Sequence, residues 1–318
     1  MEKKLTAAAK TALLDCMGTK PGERVLIVTD TILQELGKIF FDEARKLGAE
    51  AMFLEMIPRS SSGEEPPAAV SAAMKEADVV LLATKQSLSH TGARRKANEA
   101  GARIASLPGL TRDMMARALN ADYDQIGALS KTISEILTKG KRARLTTASG
   151  TDLLFDLTGR VGHPDTGVYK NKGMFGNLPA GEAYIAPLEN TAQGILVVDG
   201  SMTGIGKLNH PITIQIKEGY AEEILGGEEA ALLNTLLKPH GKKGRNVAEL
   251  GIGTNQQAML TGEVLEDEKI FGTVHVALGD NHTIGGVVEV ASHLDGVILS
   301  PTLEIDGCIL LKDGKMVI

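Results

Sequence analysis

The strongest constraint on this 318-residue chain is a change of rhythm near its middle. Up to about residue 125, short apolar runs alternate with segments of helical periodicity. From Ala143 onward the pattern becomes short alternating strands cut by Gly and Pro. A chain that switches period in this way cannot wrap both halves around one kind of sheet.

In the first half, residues 24–29 form an apolar run closed by Asp30, and residues 31–47 carry helical spacing that ends at Gly48. The unit then repeats: strands are expected at 49–54, 78–84 and 103–107, and helices at 66–75 and 93–100. Strands joined through helices require crossover connections, so residues 1–125 are expected to form a doubly wound α/β domain around a parallel sheet. Residues 122–138 read as helical and 126–142 as the helix and linker between the domains, with the basic residues Lys139, Lys141, Arg142 and Arg144 at the junction. Residues 143–318 read as a β-rich α+β domain. Strands are expected there at 152–157, 194–198, 212–216, 271–278, 287–290, 296–299 and 308–311, with helices limited to 221–237 and part of 256–263.

Several function classes are excluded. No Gly-x-Gly-x-x-Gly follows the first strand, and 200–207 misses the Walker spacing, with Leu208 where a metal-binding hydroxyl would stand. Gly251-Ile-Gly-Thr-Asn lacks a third glycine, and both segments read as turns. A net charge of −6 with one short basic cluster argues against nucleic acid. No apolar stretch approaches the ~18–20 residues of a membrane span, and no apolar signal core follows the first residues. A cytoplasmic protein is expected. The two cysteines, Cys16 and Cys308, offer no thiolate cluster, so a metal here must use oxygen and imidazole.

Such ligands are present in the second half: Glu182, Glu249, His275, His293 and Asp295. His293 and Asp295, two apart, share a face only on an extended chain, which the surrounding apolar spacing supports. His275 sits between Val274 and Val276 on the opposite parity, flanked on its own face by the small residues Thr273 and Ala277. Two imidazoles and a carboxylate suit Zn²⁺, Co²⁺, Mn²⁺ or Fe²⁺. With Glu182 and Glu249 there are enough donors for two ions. His90, in Ser-Leu-Ser-His-Thr, reads as a locally bonded loop residue; His163 and Asp165 lie in a Pro-Asp-Thr-Gly turn signal; His210 and His240 read as surface.

Four stretches carry a resemblance: 177–187 (NLPAGEAYIAP), 248–255 (AELGIGTN), 266–279 (EDEKIFGTVHVALG) and 292–295 (SHLD), followed by Pro301-Thr and Asp306-Gly. In order and combination they resemble the thermophilic metallo-aminopeptidases of the aminopeptidase T and aminopeptidase S group. The resemblance implies that Glu182, Glu249, His275, His293 and Asp295 bind two divalent ions, Zn²⁺ or Co²⁺ with Mn²⁺ as a further option, which activate water against an N-terminal peptide bond. It also implies a homo-oligomer acting on a small peptide or other small molecule, with no nucleic-acid or membrane partner.

Two positions depart from that pattern. Gly181 replaces an acid beside Glu182, and His282 stands where the family has a tyrosine seven residues after His275. Glu182 and His282 are therefore the candidate catalytic groups, with Asp280 and Glu289 as nearby spare carboxylates. The same motifs resemble the 2,5-dihydroxypyridine ring-opening dioxygenases, in which His275, His293 and Asp295 would hold a single Fe²⁺. Of the 36 glycines, many crowd these stretches, where they permit close backbone approach. Aromatics are only 3% of residues, which favours small or polar substrates.

Overall fold

A computed structural model describes residues 1–318. It comprises two compact units, Met1–Gln125 with Gly167–Ala180, and Ile126–Thr166 with Gly181–Ile318.

The first unit is built on a parallel sheet, β1 (Arg24–Asp30), β2 (Glu50–Met56), β3 (Val79–Ala83) and β4 (Arg103–Ser106), in the order β2-β1-β3-β4. Between them run the helices Gln34–Lys46, Ala68–Glu76 and Gly92–Glu99. Every residue of β3 and β4 is buried, as a parallel sheet covered on both faces requires. A fifth strand, Phe175–Asn177, pairs parallel with β4. Periodicity does not reveal it, because three residues cannot show alternation. Its local cause is Tyr169, whose ring fills the space where a Cβ on Gly176 would stand and whose hydroxyl donates to the Asn177 carbonyl at 2.8 Å.

The second unit carries two antiparallel sheets. Eight strands form one, in the order Tyr220–Leu225, Ile212–Lys217, Gln193–Val198, Asp152–Asp156, Arg142–Thr146, Thr302–Ile305, Cys308–Lys312 and Lys315–Met316. The other has seven strands. From one edge it runs Gly206–Lys207 and Ser201–Met202, followed by β9 (His293–Ile298), β8 (Val274–Gly279), β7 (Val247–Gly253), β6 (Glu182–Ile185) and β5 (His163–Asp165). Both sheets contribute to one aliphatic core: Leu145, Leu153, Leu196 and Ile214 from the first, and Ile185, Leu250, Val276 and Ile298 from the second. The fold is thus a parallel α/β unit and a β-rich unit. No helix is long and apolar enough to cross a membrane.

Four local expectations give way. Residues 221–237 are not one helix: a strand, Tyr220–Leu225, is followed by the helix Gly227–Leu237, with Gly226 and Gly227 at φ 130° and 63° making the corner. The helix expected within 256–263 is replaced by a turn, because Glu266 and Asp267 of the short helix Val264–Asp267 accept the amide N–H groups of Met259, Thr261 and Gly262. Residues 287–290 form no strand. Their N–H groups go instead to side chains: Val287 to Glu189, Val288 to Asn281 and Val290 to Asp280. In the basic cluster, Arg142 and Arg144 lie on a strand rather than a linker, and Arg144 forks onto Asp152 with both bonds at 2.9 Å.

Candidate metal centre

Strand register decides which side chains meet. Glu182 pairs with Gly253 and Asp165, Tyr184 with Gly251 and His163, Gly251 with His275, Glu249 with Ala277, Ala277 with Asp295, and Gly279 with His293. Side chains alternate across a strand, so Ala183, Ile185, Leu250, Ile252, Val274 and Val276 face the core while the opposite parity carries every candidate ligand. All five sequence-derived residues thus stand on one face of one sheet.

Their polar atoms converge. His275 Nε2 lies 3.2 Å from Glu182 Oε2 and 3.2 Å from Glu249 Oε1. His293 Nε2 lies 3.5 Å from Glu249 Oε2 and 3.3 Å from Asp295 Oδ1. The donors fall into two sets, Glu182–Glu249–His275 and Glu249–His293–Asp295, each with its ligand atoms within 4.8 Å of one another. Glu249 belongs to both and turns one oxygen toward each imidazole. The sets offer the imidazole nitrogen and carboxylate oxygen that divalent transition-metal ions take. Glu182 Oε2 is buried, with His275 Nε2 at 3.2 Å and no well-aligned donor, which leaves it open to a cation.

Two local devices orient the imidazoles. His293 Nδ1 is 2.7 Å from the Asp280 carbonyl, which can only accept, so Nδ1 carries the proton and Nε2 is turned toward the acids. The ring of His275 lies across β7: a Cβ on Gly251 would stand 2.0 Å from its Nε2. Gly251, which reads from sequence as a turn residue, is instead a strand residue that makes room for the ligand.

Charge is dense here. Burial alone would lower both histidines, but Glu182 and Glu249 hold the His275 imidazolium well above its usual range. For His293, Asp295 foremost outweighs burial and lifts the pKa to about 10. Burial would raise Asp295, yet His293 brings it down to about 2. In the metal-free protein, protons on the rings supply the positive charge that the carboxylates require.

One residue of the cluster escapes sequence reasoning. Lys269, only 2% exposed, places Nζ 2.5 Å from Glu182 Oε1, 2.7 Å from Glu268 Oε1 and 3.5 Å from Asp165 Oδ2. A lysine in Glu-Asp-Glu-Lys reads as surface, and nothing in the apolar spacing marks it as buried. Its three acids hold it protonated against the pull of burial. Burial in turn raises the Glu268 carboxyl to about 8 although Lys269 opposes this. Tyr184, on the same face, stacks on His163 with ring centroids 5.5 Å apart, and burial raises its phenol. Asp165, expected in a turn, is the last residue of β5. His282 stands elsewhere in character: it is exposed on the single 3₁₀ turn His282–Ile284 that follows β8. Asp280 accepts from the Val290 N–H, and Glu289 is exposed.

The chain, a parallel α/β unit and a two-sheet unit, thus carries on one sheet face imidazoles and carboxylates that could hold a divalent metal ion. The model of the 2,5-dihydroxypyridine 5,6-dioxygenase family matches residues 4–318, and the chain belongs to that family. No curated protein matches the chain. Among solved structures, the 2,5-dihydroxypyridine dioxygenase from Pseudomonas putida KT2440 is similar over 100% of this chain and 98% of its own, with 19% identity and a TM-score of 0.84. AmpT from Thermus thermophilus is similar over 99% of both chains, with 17% identity and a TM-score of 0.73. These likenesses show a shared fold; family and neighbours are enzymes.

Proposed function

We propose that the chain is a metal-dependent aminopeptidase, a hydrolase that removes N-terminal residues from small peptides at a two-ion centre. The observation that carries this reading is Glu249, whose two oxygens face two different imidazoles, at 3.2 and 3.5 Å. Two donors on either side of a shared carboxylate suit a pair of ions; a lone iron held by two histidines and an aspartate would leave Glu182 and Glu249 outside its ligand set. When bound, Zn²⁺ or Co²⁺ supplies a nucleophilic water near neutral pH and polarises the scissile carbonyl. The chain's own groups do the rest. Glu182 has one oxygen on Lys269 and the other toward His275, so it acts as a ligand rather than as the general base. We assign the proton to Glu268, which stands 2.7 Å from Lys269 Nζ beside Glu182 and whose carboxyl burial raises to about 8 although Lys269 opposes this. His282, exposed where the chain leaves β8, meets the substrate rather than the ions in this reading. We assign the enzyme to the cytoplasm as a homo-oligomer.

The second reading is a mononuclear Fe²⁺ ring-opening dioxygenase using His275, His293 and Asp295, and it is favoured by the family match across residues 4–318. The two separate in one experiment. Full-length protein loaded with Zn²⁺, Co²⁺, Mn²⁺ or Fe²⁺ is assayed for leucine p-nitroanilide cleavage and for O₂ uptake with 2,5-dihydroxypyridine, and its metal is counted. Amide cleavage with two ions per chain is expected. Absence of cleavage with every metal overturns the peptidase reading, and Fe²⁺-dependent O₂ uptake at one ion per chain installs the other.

A further inference from the structure

Lys269 is an expensive thing to bury. Its side chain is 2% exposed, and it reaches the centre from the turn that follows the helix Val264–Asp267, with its backbone N–H on the Glu266 carbonyl and its own carbonyl accepting the Asn255 N–H. Isolated ammonium groups are not tolerated in such places; they persist where acids surround them. Here the acids are Glu182, Glu268 and Asp165, at 2.5, 2.7 and 3.5 Å.

The consequence lies in how Glu182 is divided. Its Oε1 is held by the ammonium, and only Oε2 faces His275. Asp295, the matching acid of the other set, makes an ion pair with His293 and none with a lysine or arginine. The two ligand sets have the same composition, two carboxylates and one imidazole, but not the same charge. One contains a carboxylate whose Oε1 is the nearest of three acid partners of a resident cation, and a divalent ion entering it approaches that cation across a single carboxylate. Like charges at such range inside a protein repel strongly.

We propose that Lys269 makes the two ion positions unequal: the Glu249–His293–Asp295 set fills first and tightly, and the Glu182–Glu249–His275 set fills second and weakly, because the Lys269 ammonium already occupies the field of Glu182. Lys269 is then a positioning residue that leaves one metal exchangeable, tunable by metal availability, while the other stays resident. This rests on the two-ion reading of the site but not on the reaction that the ions serve.

The test is a Co²⁺ titration of metal-free full-length protein, followed by calorimetry and by the visible absorption of the bound ion. The wild type is expected to take up two ions in steps at least ten-fold apart. In Lys269→Met the weaker step tightens at least ten-fold while the tighter step moves by less than three-fold; in Lys269→Arg, which keeps the charge, the wild-type separation persists. Thermal melting of each metal-free variant checks folding. If Lys269→Met does not fold, Asp165→Asn serves instead: it leaves the ammonium leaning harder on Glu182, and the weak step weakens further. Equal steps in the wild type, or a separation unchanged in Lys269→Met or Asp165→Asn, overturn the role of Lys269 and leave the two-ion centre standing. A single ion in the wild type and every variant overturns the two-ion reading itself.

Discussion

Asp30 and Glu249 make an instructive pair. Both are buried acids on strands, one in the parallel unit and one in the antiparallel unit. Asp30, at the end of β1, accepts the N–H groups of Ile32 and Leu33, both at 3.0 Å, and of Lys85 at 2.6 Å. Every one of those partners is main chain and none can titrate, so the carboxylate ties the end of β1 to the segment after β3. Glu249 faces two imidazoles. The difference teaches that burial of an acid is not the mark of a site; the mark is a partner that can change its charge or be replaced by a cation.

The comparison breaks most decisively at His293. His293→Ala is expected to abolish metal binding at its set, read by metal analysis after gel filtration, whereas Asp30→Asn should leave metal content unchanged. Metal retained in the His293 variant would mean that the face of β7, β8 and β9 is structural in the way that Asp30 is.

The next largest effect is on pH dependence. His293 has a folded-state pKa of about 10 against an ordinary 6.5, so its contribution to metal-free stability is full below pH 6.5 and is lost as pH rises through 10. Asp295, held at about 2 against 3.8, contributes above pH 3.8 and loses that contribution as pH falls through 2. The metal-free protein should therefore melt at lower temperature at pH 10 than at pH 6. Added Zn²⁺ or Co²⁺ should flatten the alkaline loss, since the ion takes over the charge that the imidazole proton supplied, and its uptake should release protons. An alkaline limb unaffected by metal would contradict this.

A smaller effect tests the space over β7. Gly251→Ala puts a Cβ where the His275 ring lies, 2.0 Å from Nε2. A ligand pushed off its position should weaken metal binding by about 10–100-fold, and the strain should lower stability by about 1–3 kcal/mol. Asp30→Ala is the mirror case: about 1–3 kcal/mol of stability lost from unmet buried N–H groups, with metal affinity unmoved.

Much of this was legible from residues alone. The first four parallel strands follow from apolar runs of four to seven residues followed by helical spacing, and the parity of His275 and of His293-x-Asp295 follows from the alternation of a pleated strand. Illegible were features that depend on contacts distant in sequence. The strand Phe175–Asn177 pairs with the edge of β4 and is held by Tyr169, neither of which its three residues announce. Residues 287–290 look like a strand by composition, yet side chains rather than a neighbouring strand take their N–H groups. Lys269 is invisible because its burial is decided by acids up to 104 positions away, at Asp165.

The sequence by itself determined the change from parallel to antiparallel architecture and the identities of five metal-capable donors, because periodicity and residue type are local properties. Only the tertiary structure decided that Glu249 is shared between two imidazoles, that Gly251 clears the space for one of them, and that a lysine stands in the field of Glu182. Those facts are set by the register between β5, β6, β7, β8 and β9, and register is a property of strands that meet, not of any strand alone.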